Sequence, residues 1–448
     1  MLRLSIRDLI YQPAPWSGLF LVMLACGFVC GFGIVLMSAS SAYTEDIAVR
    51  AFNGGSSIIA LTLVAAVPVV VAVSKLLADE KLGSYALWIL AGSYPAKVCL
   101  VVLVQAFFVS LIGAALGMCL SFIAGQFSAV SVLFRYVGIS DAVVSPNSVY
   151  AVEFLIGSSL LVVAASFFEL KSILHISPLE ALFLGSDYSA SSHRGVFFKC
   201  AMGFALLAVT CAVSFGASGG DVSSVVSIGV IIPLFTTLSF ALLAPVFLPL
   251  LLRVWAAAMP WRRNPIWRIA WRGVAYEKEN LASIEVPLLV AFSLVSGALS
   301  SVEMLLVFLE GQGSAPAVGL SAYQAMLFFG GPMVVCGVGA VASVLVRFAS
   351  SRKRASTLFS CGLDGAGLAK ELLAEALIHA VNAGLLGVIA VGVSCGFVSI
   401  ACGASVWGNL KLLEGAWVLL FGLLLLLLAS IPAFASSFRG GCLDGLSE

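Results

Sequence analysis

Ten stretches of this chain are long and apolar enough to cross a lipid bilayer as helices, and no water-soluble fold can absorb so many. Their cores fall at residues 16–38, 57–77, 100–124, 149–168, 196–215, 225–252, 286–308, 323–346, 368–401 and 416–434. A span needs about 20 apolar residues in helical form, because each backbone amide left unpaired in hydrocarbon costs several kcal/mol. Composition agrees: 61% of residues are hydrophobic and 10% charged, a balance that cannot clothe a surface in contact with water. The expected fold is therefore an all-α integral membrane protein. A formal net charge of +1 gives no electrostatic support for binding nucleic acid. Cysteines lie mostly inside apolar runs (Cys26, Cys30, Cys99, Cys119, Cys211, Cys336, Cys395), where a thiol behaves as a small hydrophobe. No CxxC pair occurs, so neither a metal site nor a redox motif is expected.

The few charges speak through their positions. With the N-terminus inside, the segments assigned to the cytoplasm hold Arg3, Arg7, Lys75, Lys81, Lys97, Lys171, Arg194, Lys199, Arg253, Arg262, Arg263, Arg268, Arg272, Lys278, Arg347, Arg352, Lys353, Arg354, Lys370 and Arg439, against Arg50, Arg135 and Lys411 outside. That bias sets the orientation and favours an even number of spans, with both termini cytoplasmic. Ser38-Ala39-Ser40 resembles a cleavage site, but the run before it exceeds a signal h-region of about 7 to 15 residues. It is read as a retained first helix. The longest outside loop, at roughly residues 125–148, cannot hold a folded domain.

The chain also echoes itself. Arg3-Leu4-Ser5-Ile6-Arg7 precedes the first run and Arg268-Ile269-Ala270-Trp271-Arg272 the seventh; each suits a short amphipathic helix in the headgroup region. After the second and eighth runs, Gly92 aligns with Gly362, Gln105 with Glu375 and Gly117 with Gly387 at one constant offset. Spans one to four and seven to ten then form two parallel four-helix units, residues 1–182 and 261–448, joined by two linking helices in residues 183–260. The stretches bearing Tyr85, Leu87, Trp88 and Gly92, and Leu358, Phe359 and Gly362, are cytoplasmic in this topology and partly apolar. An apolar face there must be buried against the membrane surface or a partner, and two equivalent copies favour a duplicated partner.

These residues resemble the FtsX-like permeases, the membrane subunits of mechanotransmission-type ABC transporters. The resemblance rests on the turn Leu90-Ala91-Gly92-Ser93, on Glu375-Ala376 with its degenerate copy Gln105-Ala106, and above all on Ile176-Ser177-Pro178-Leu179-Glu180-Ala181-Leu182. The second unit has Phe438-Arg439-Gly440-Gly441-Cys442 in place of the Ser-Pro ending. The resemblance implies a permease in a bacterial cell membrane whose cytoplasmic helices, with Tyr85, Leu87, Trp88, Gly92, Leu358, Phe359 and Gly362, seat on a P-loop ATPase, two copies per permease. No lysine here directly follows a glycine, as a P-loop requires, so ATP and Mg are expected on that partner and no cofactor on this chain.

Short loops and few intramembrane charges point to a hydrophobic or amphipathic substrate such as a peptide, lipid, lipoprotein or drug. Two alternatives stand beside this reading: a non-transporting signal transmitter coupled to an ATPase, and an ion-coupled secondary transporter. Glu153, Glu303 and His379 are the ionisable candidates for a substrate path; each also has a plainer reading, as an interfacial carboxylate for the first two and as a histidine bonded to a neighbouring helix for the third. Gly216-Ala217-Ser218-Gly219 is similar to the nucleophile turn of rhomboid proteases, but its place beside Gly220 and Asp221 reads as a tight turn. Gly27 with Gly31, Gly113 with Gly117 and Gly392 with Gly396 are spaced for close helix packing. Cys26 and Cys30 share a helix face and are read as packing residues.

Overall fold

A computed structural model of the protein describes residues 14–40, 45–125, 147–170, 193–218, 221–258, 264–276, 281–311, 322–346, 357–358, 362–403 and 410–439. The longer elements among them are α1 (Ala14–Ala39), α2 (Glu45–Leu90), α3 (Pro95–Gly125), α4 (Ser148–Leu170), α5 (His193–Ala217), α6 (Val222–Ala258), α7 (Pro265–Tyr276), α8 (Leu281–Gly311), α9 (Ala322–Val346), α10 (Gly365–Cys402) and α11 (Leu412–Arg439). Among the described residues every such element is helical, and 8 helices are long and apolar enough to cross a membrane. The segments Gly330–Val346 of α9 and Leu412–Leu425 of α11 are shorter apolar stretches. The chain is a multi-pass, all-α membrane protein. Arg3 and Arg7, the Ile176 to Leu182 motif, Arg352 to Arg354 and Phe359 lie outside the described residues.

The second helix departs from the expected plan. In place of a span at residues 57–77 followed by a separate cytoplasmic segment, one helix of 46 residues runs unbroken from Glu45 to Leu90. At 1.5 Å per residue it measures about 69 Å, over twice the hydrocarbon thickness of about 30 Å. The charged run Asp79-Glu80-Lys81 ends the apolar stretch but does not end the helix, since charge is no helix breaker. Gly83, the weakest helix former there, weakens a helix without stopping it. Tyr85, Leu87 and Trp88 therefore ride on a helical extension of a span.

Small residues fix the closest helix contact. α1 lies along α3, and a Cβ added at Gly27 or Gly117 would run into the backbone carbonyl of Ala114 or Leu24, while one at Gly113 would sit 2.8 Å from the Phe20 carbonyl. These glycines let two backbones approach. Gly392 and Gly396 behave otherwise: a Cβ at either meets nothing within 4 Å. The spacing that predicts packing there occupies an open face of α10, because periodicity says which residues share a face but not what the face meets.

α8 lies along α10, and α9 packs on both α1 and α2 while α2 also meets α8. α5 rests mainly on α6 and leaves Phe197, Phe198, Phe204 and Phe215 exposed, apolar surface suited to lipid. α7 is amphipathic: Trp267, Ala270 and Val274 are buried, while Arg268 and Arg272 are exposed. It packs on α10 and, more lightly, on α6.

Candidate functional site

Two features stand out at the end of the bundle where α2 and α6 finish and α8 and α10 begin, called here the basal end. The first is a pair of matching turns. α2 stops at Leu90, Gly92 adopts φ 92°, and the Ser93 and Gly92 amides donate to the carbonyls of Trp88 and Ile89. At the other site Gly362 adopts φ 91° and the Leu363 amide donates to the Leu358 carbonyl. This is the left-handed glycine stop that satisfies the last carbonyls of a helix. The next helices begin at Pro95 and at Gly365, three residues beyond each glycine, and Asp364 caps the second by accepting from the Gly367 amide at 2.8 Å.

The surfaces around the turns differ in exposure. Leu87 is 56% and Tyr94 70% exposed, with Leu90 beside them; Lys97 reaches over the Tyr94 ring at 5.2 Å. Tyr85 points inward and is buried, its ring 5.8 Å from that of half-buried Trp88. Leu358 is half-buried, and Gly362 is exposed.

The second feature is a polar network inside the bundle. Glu285, the fifth residue of α8, is fully buried. Its Oε1 lies 2.8 Å from His379 Nδ1, and its Oε2 accepts from Asn382 Nδ2 at 2.6 Å. Asn382 Nδ2 also donates to the Leu248 carbonyl at 3.2 Å, and its Oδ1 accepts from Trp255 Nε1 at 3.0 Å. The other ring nitrogen of His379, Nε2, stands 3.9 Å from Glu375 Oε1. Residues 371, 375, 379 and 382 share one face of α10 by helical spacing. One amide and one carboxylate thus tie α6, α8 and α10 together, and a carboxylate taken from water is compensated by two partners on α10, His379 and Asn382.

The candidates Glu153 and Glu303 lie elsewhere. Glu153 is exposed on α4. Glu303 sits at the opposite end of α8, where its Oε1 is 2.8 Å from Lys411 Nζ. There Ser296 Oγ donates to the Lys411 carbonyl at 2.8 Å, and the Lys411 amide donates to Ser300 Oγ at 2.9 Å. Residues 296, 300 and 303 follow one face of α8 and strap down the chain entering α11. The bond to Glu303, then its charge, hold the Lys411 ammonium above its ordinary range.

His379 is joined to carboxylates, and Ser218 Oγ donates to the Phe215 carbonyl at 2.7 Å, so the two do not form a nucleophile and base. Cys26 and Cys30 are both buried in α1. Among the described residues no three His, Cys, Asp or Glu side chains converge as a metal site would require.

Glu285, Asn382 and Trp255 escape the sequence reading. Glu285 stands one residue before the expected span at 286–308 and so counts as loop. The detectable signal was Glu375, His379 and Asn382 on one face of an apolar helix, a polar stripe that demands a partner across the interface. No protein-family model matches the chain, and comparison with curated proteins finds no match.

Proposed function

We propose that the chain is the permease subunit of an ATP-driven ABC transporter of the FtsX-like kind, moving or extracting a hydrophobic or amphipathic substrate. In this reading α1 to α4 and α8 to α11 are two parallel four-helix units joined by α5 and α6, giving ten spans. The basal end is cytoplasmic, the membrane is the bacterial cell membrane, and two copies of a P-loop ATPase carry ATP and Mg. The observation that carries the reading is the pair of turns at Gly92 and Gly362: the same left-handed glycine, the same amide-to-carbonyl closure and the same distance to the next helix. Packing gives support. α1 with α3 and α8 with α10 are corresponding pairs, and α1 with α9 and α2 with α8 are corresponding crossings between units.

The Gly92 turn presents exposed Leu87, Leu90 and Tyr94 beyond the apolar stretch of a helix too long to end in the membrane. A partner that closes on ATP and grips both turns would move α2 and α10 as levers. Introducing bulk at both turns tests this. In a Gly92→Trp, Gly362→Trp double variant the chain inserts normally but loses stimulation of ATP turnover by substrate, and normal stimulated turnover would remove these turns from the coupling path.

One observation favours a second reading, an ion-coupled carrier: the buried Glu285 joined to His379, since ionisable groups at membrane depth mark ion paths. Against it, the face of α8 that carries Glu285, Ser296, Ser300 and Glu303 is interrupted by Leu289 and Phe292. The Phe292 ring is wedged where a Cβ at Gly387 of α10 or Gly415 of α11 would strike it. A polar path from the basal end stops there.

A further inference from the structure

The network at Glu285 has a graded exposure that a purely structural ion pair does not need. Glu285 is out of contact with solvent, the His379 side chain is nearly so, and Glu375 is 20% exposed. The imidazole lies between the two carboxylates, one at each ring nitrogen, which is the arrangement of a relay. The ionisable groups that act on it are Glu285 from α8 and Glu375 from its own helix; on Glu285 act ionisable His379 and the neutral Asn382 amide, which donates to it. α6 contributes Trp255 and the Leu248 carbonyl, while its Arg253 is exposed. α7 turns Arg268 and Arg272 outward, and α9 has no charged residue. The remaining charged groups on packed helices are Glu45, Asp46 and Arg50 at the start of α2 and Lys75, Asp79, Glu80 and Lys81 toward its end, Arg194 and Lys199 of α5, Lys370 and Glu371 of α10, Glu303 and Glu310 at the far end of α8, and Glu414 and Arg439 of α11.

We propose that Glu285 is a proton-exchange site that communicates with the basal aqueous phase through His379 and Glu375, and whose charge sets how tightly α6 is held to the α8–α10 pair. In the inward step Glu375, or a water beside it, gives a proton to His379 Nε2. His379 Nδ1 then releases its own proton to Glu285 Oε1, so one proton enters and one leaves the ring. At 3.9 Å the Nε2 to Glu375 separation exceeds a direct hydrogen bond, so transfer there needs a closer approach of the Glu375 side chain or a water between the two groups. With Glu285 neutral, Asn382 Nδ2 loses its charged acceptor, and a charge-assisted bond gives way to a weaker one. Because Asn382 also holds Trp255 and the Leu248 carbonyl, the change reaches α6. The path ends at Glu285, below Phe292, so the site exchanges protons with one side only. It is a sensor or latch within the bundle, whichever energy source drives the chain.

Infrared difference spectroscopy tests the site on the full chain in lipid nanodiscs after a pH jump, with no ATPase and no substrate, so its outcome is independent of the proposed function. The expected result is a protonated-carboxyl band that is absent from Glu285→Gln and that appears about a hundredfold more slowly in Glu375→Gln, as befits loss of a positioned proton-transfer group. The fluorescence change that accompanies the band disappears in Trp255→Phe. If Glu285→Gln fails to insert, the rate in Glu375→Gln, altered at a partly exposed side chain, decides alone. A spectrum without any band removed by Glu285→Gln, or an unchanged rate in Glu375→Gln, overturns the proposal.

Discussion

At the scale of single residues, Asn382 is the side chain on which most depends. Its amide serves Glu285 of α8 and both Trp255 and the Leu248 carbonyl of α6, so Asn382→Leu, of similar size, strands a buried carboxylate oxygen and an indole N–H. The expected cost is about 2 to 3 kcal/mol, the range for a bond to a charged group and its unpaired partner. Denaturation in mixed detergent against the parent chain measures it, and an unchanged midpoint would show that the network is not holding these helices. His379 was visible in the sequence as an ionisable group in a span, with a hydrogen bond to a neighbouring helix as its plainer reading. Its partner was not, because Glu285 lies 94 positions away and hydropathy places it outside the membrane. Tyr85 shows the same limit in reverse: it sits in a stretch read as a cytoplasmic surface, yet helical phase turns it into the core while Leu87, two residues on, faces out.

At the scale of elements, the local rules read best from sequence were those that end helices. The two glycines picked out by self-similarity both occupy left-handed backbone, where a Cβ costs about 1 to 2 kcal/mol. Gly92→Ala should destabilise by that amount although the added atom meets nothing within 4 Å, and a stability equal to the parent would mean the turn can reform without positive φ. The α1–α3 contact makes a sharper contrast. Gly117→Ala forces two backbones apart and should cost about 1 to 3 kcal/mol, the usual penalty for overpacking. Gly392→Ala, on an open face, should be neutral or slightly stabilising by helix propensity. Equal effects in the same unfolding assay would contradict the assignment of the contact.

The strap at Lys411 carries a pH dependence. Its folded-state pKa is raised, chiefly by the bond to Glu303, so the ion pair contributes fully below the ordinary lysine value of about 10.4 and is lost as pH climbs past the raised value. A spin label at exposed Leu413 should gain mobility across that alkaline window in the parent chain and show no such step in Glu303→Gln. What sequence could not supply here was the pairing itself, since hydropathy places Glu303 near the outer end of the run at 286–308 and Lys411 in a separate outside segment without saying that they meet.

At the scale of the whole molecule, the membrane character and helical class were legible from apolar run lengths alone, because hydrocarbon leaves a chain few ways to satisfy its backbone. Helix lengths were less so. Hydropathy reports where lipid ends, while a helix continues as long as its residues permit, and α2 continues to Leu90. With residues 57–77 in the hydrocarbon, as hydropathy places them, that extension carries the Gly92 turn beyond it, within reach of the proposed soluble partner. An ATP-driven permease requires that such a partner exists and supplies the energy. Purifying the chain from its native host in mild detergent, with gentle crosslinking, and identifying what accompanies it by mass spectrometry tests this requirement. The expected companion is a P-loop ATPase near two copies per chain, lost together with stimulated turnover in the Gly92→Trp, Gly362→Trp variant. Recovery of the chain alone, crosslinked or not, would overturn the ATP-driven reading.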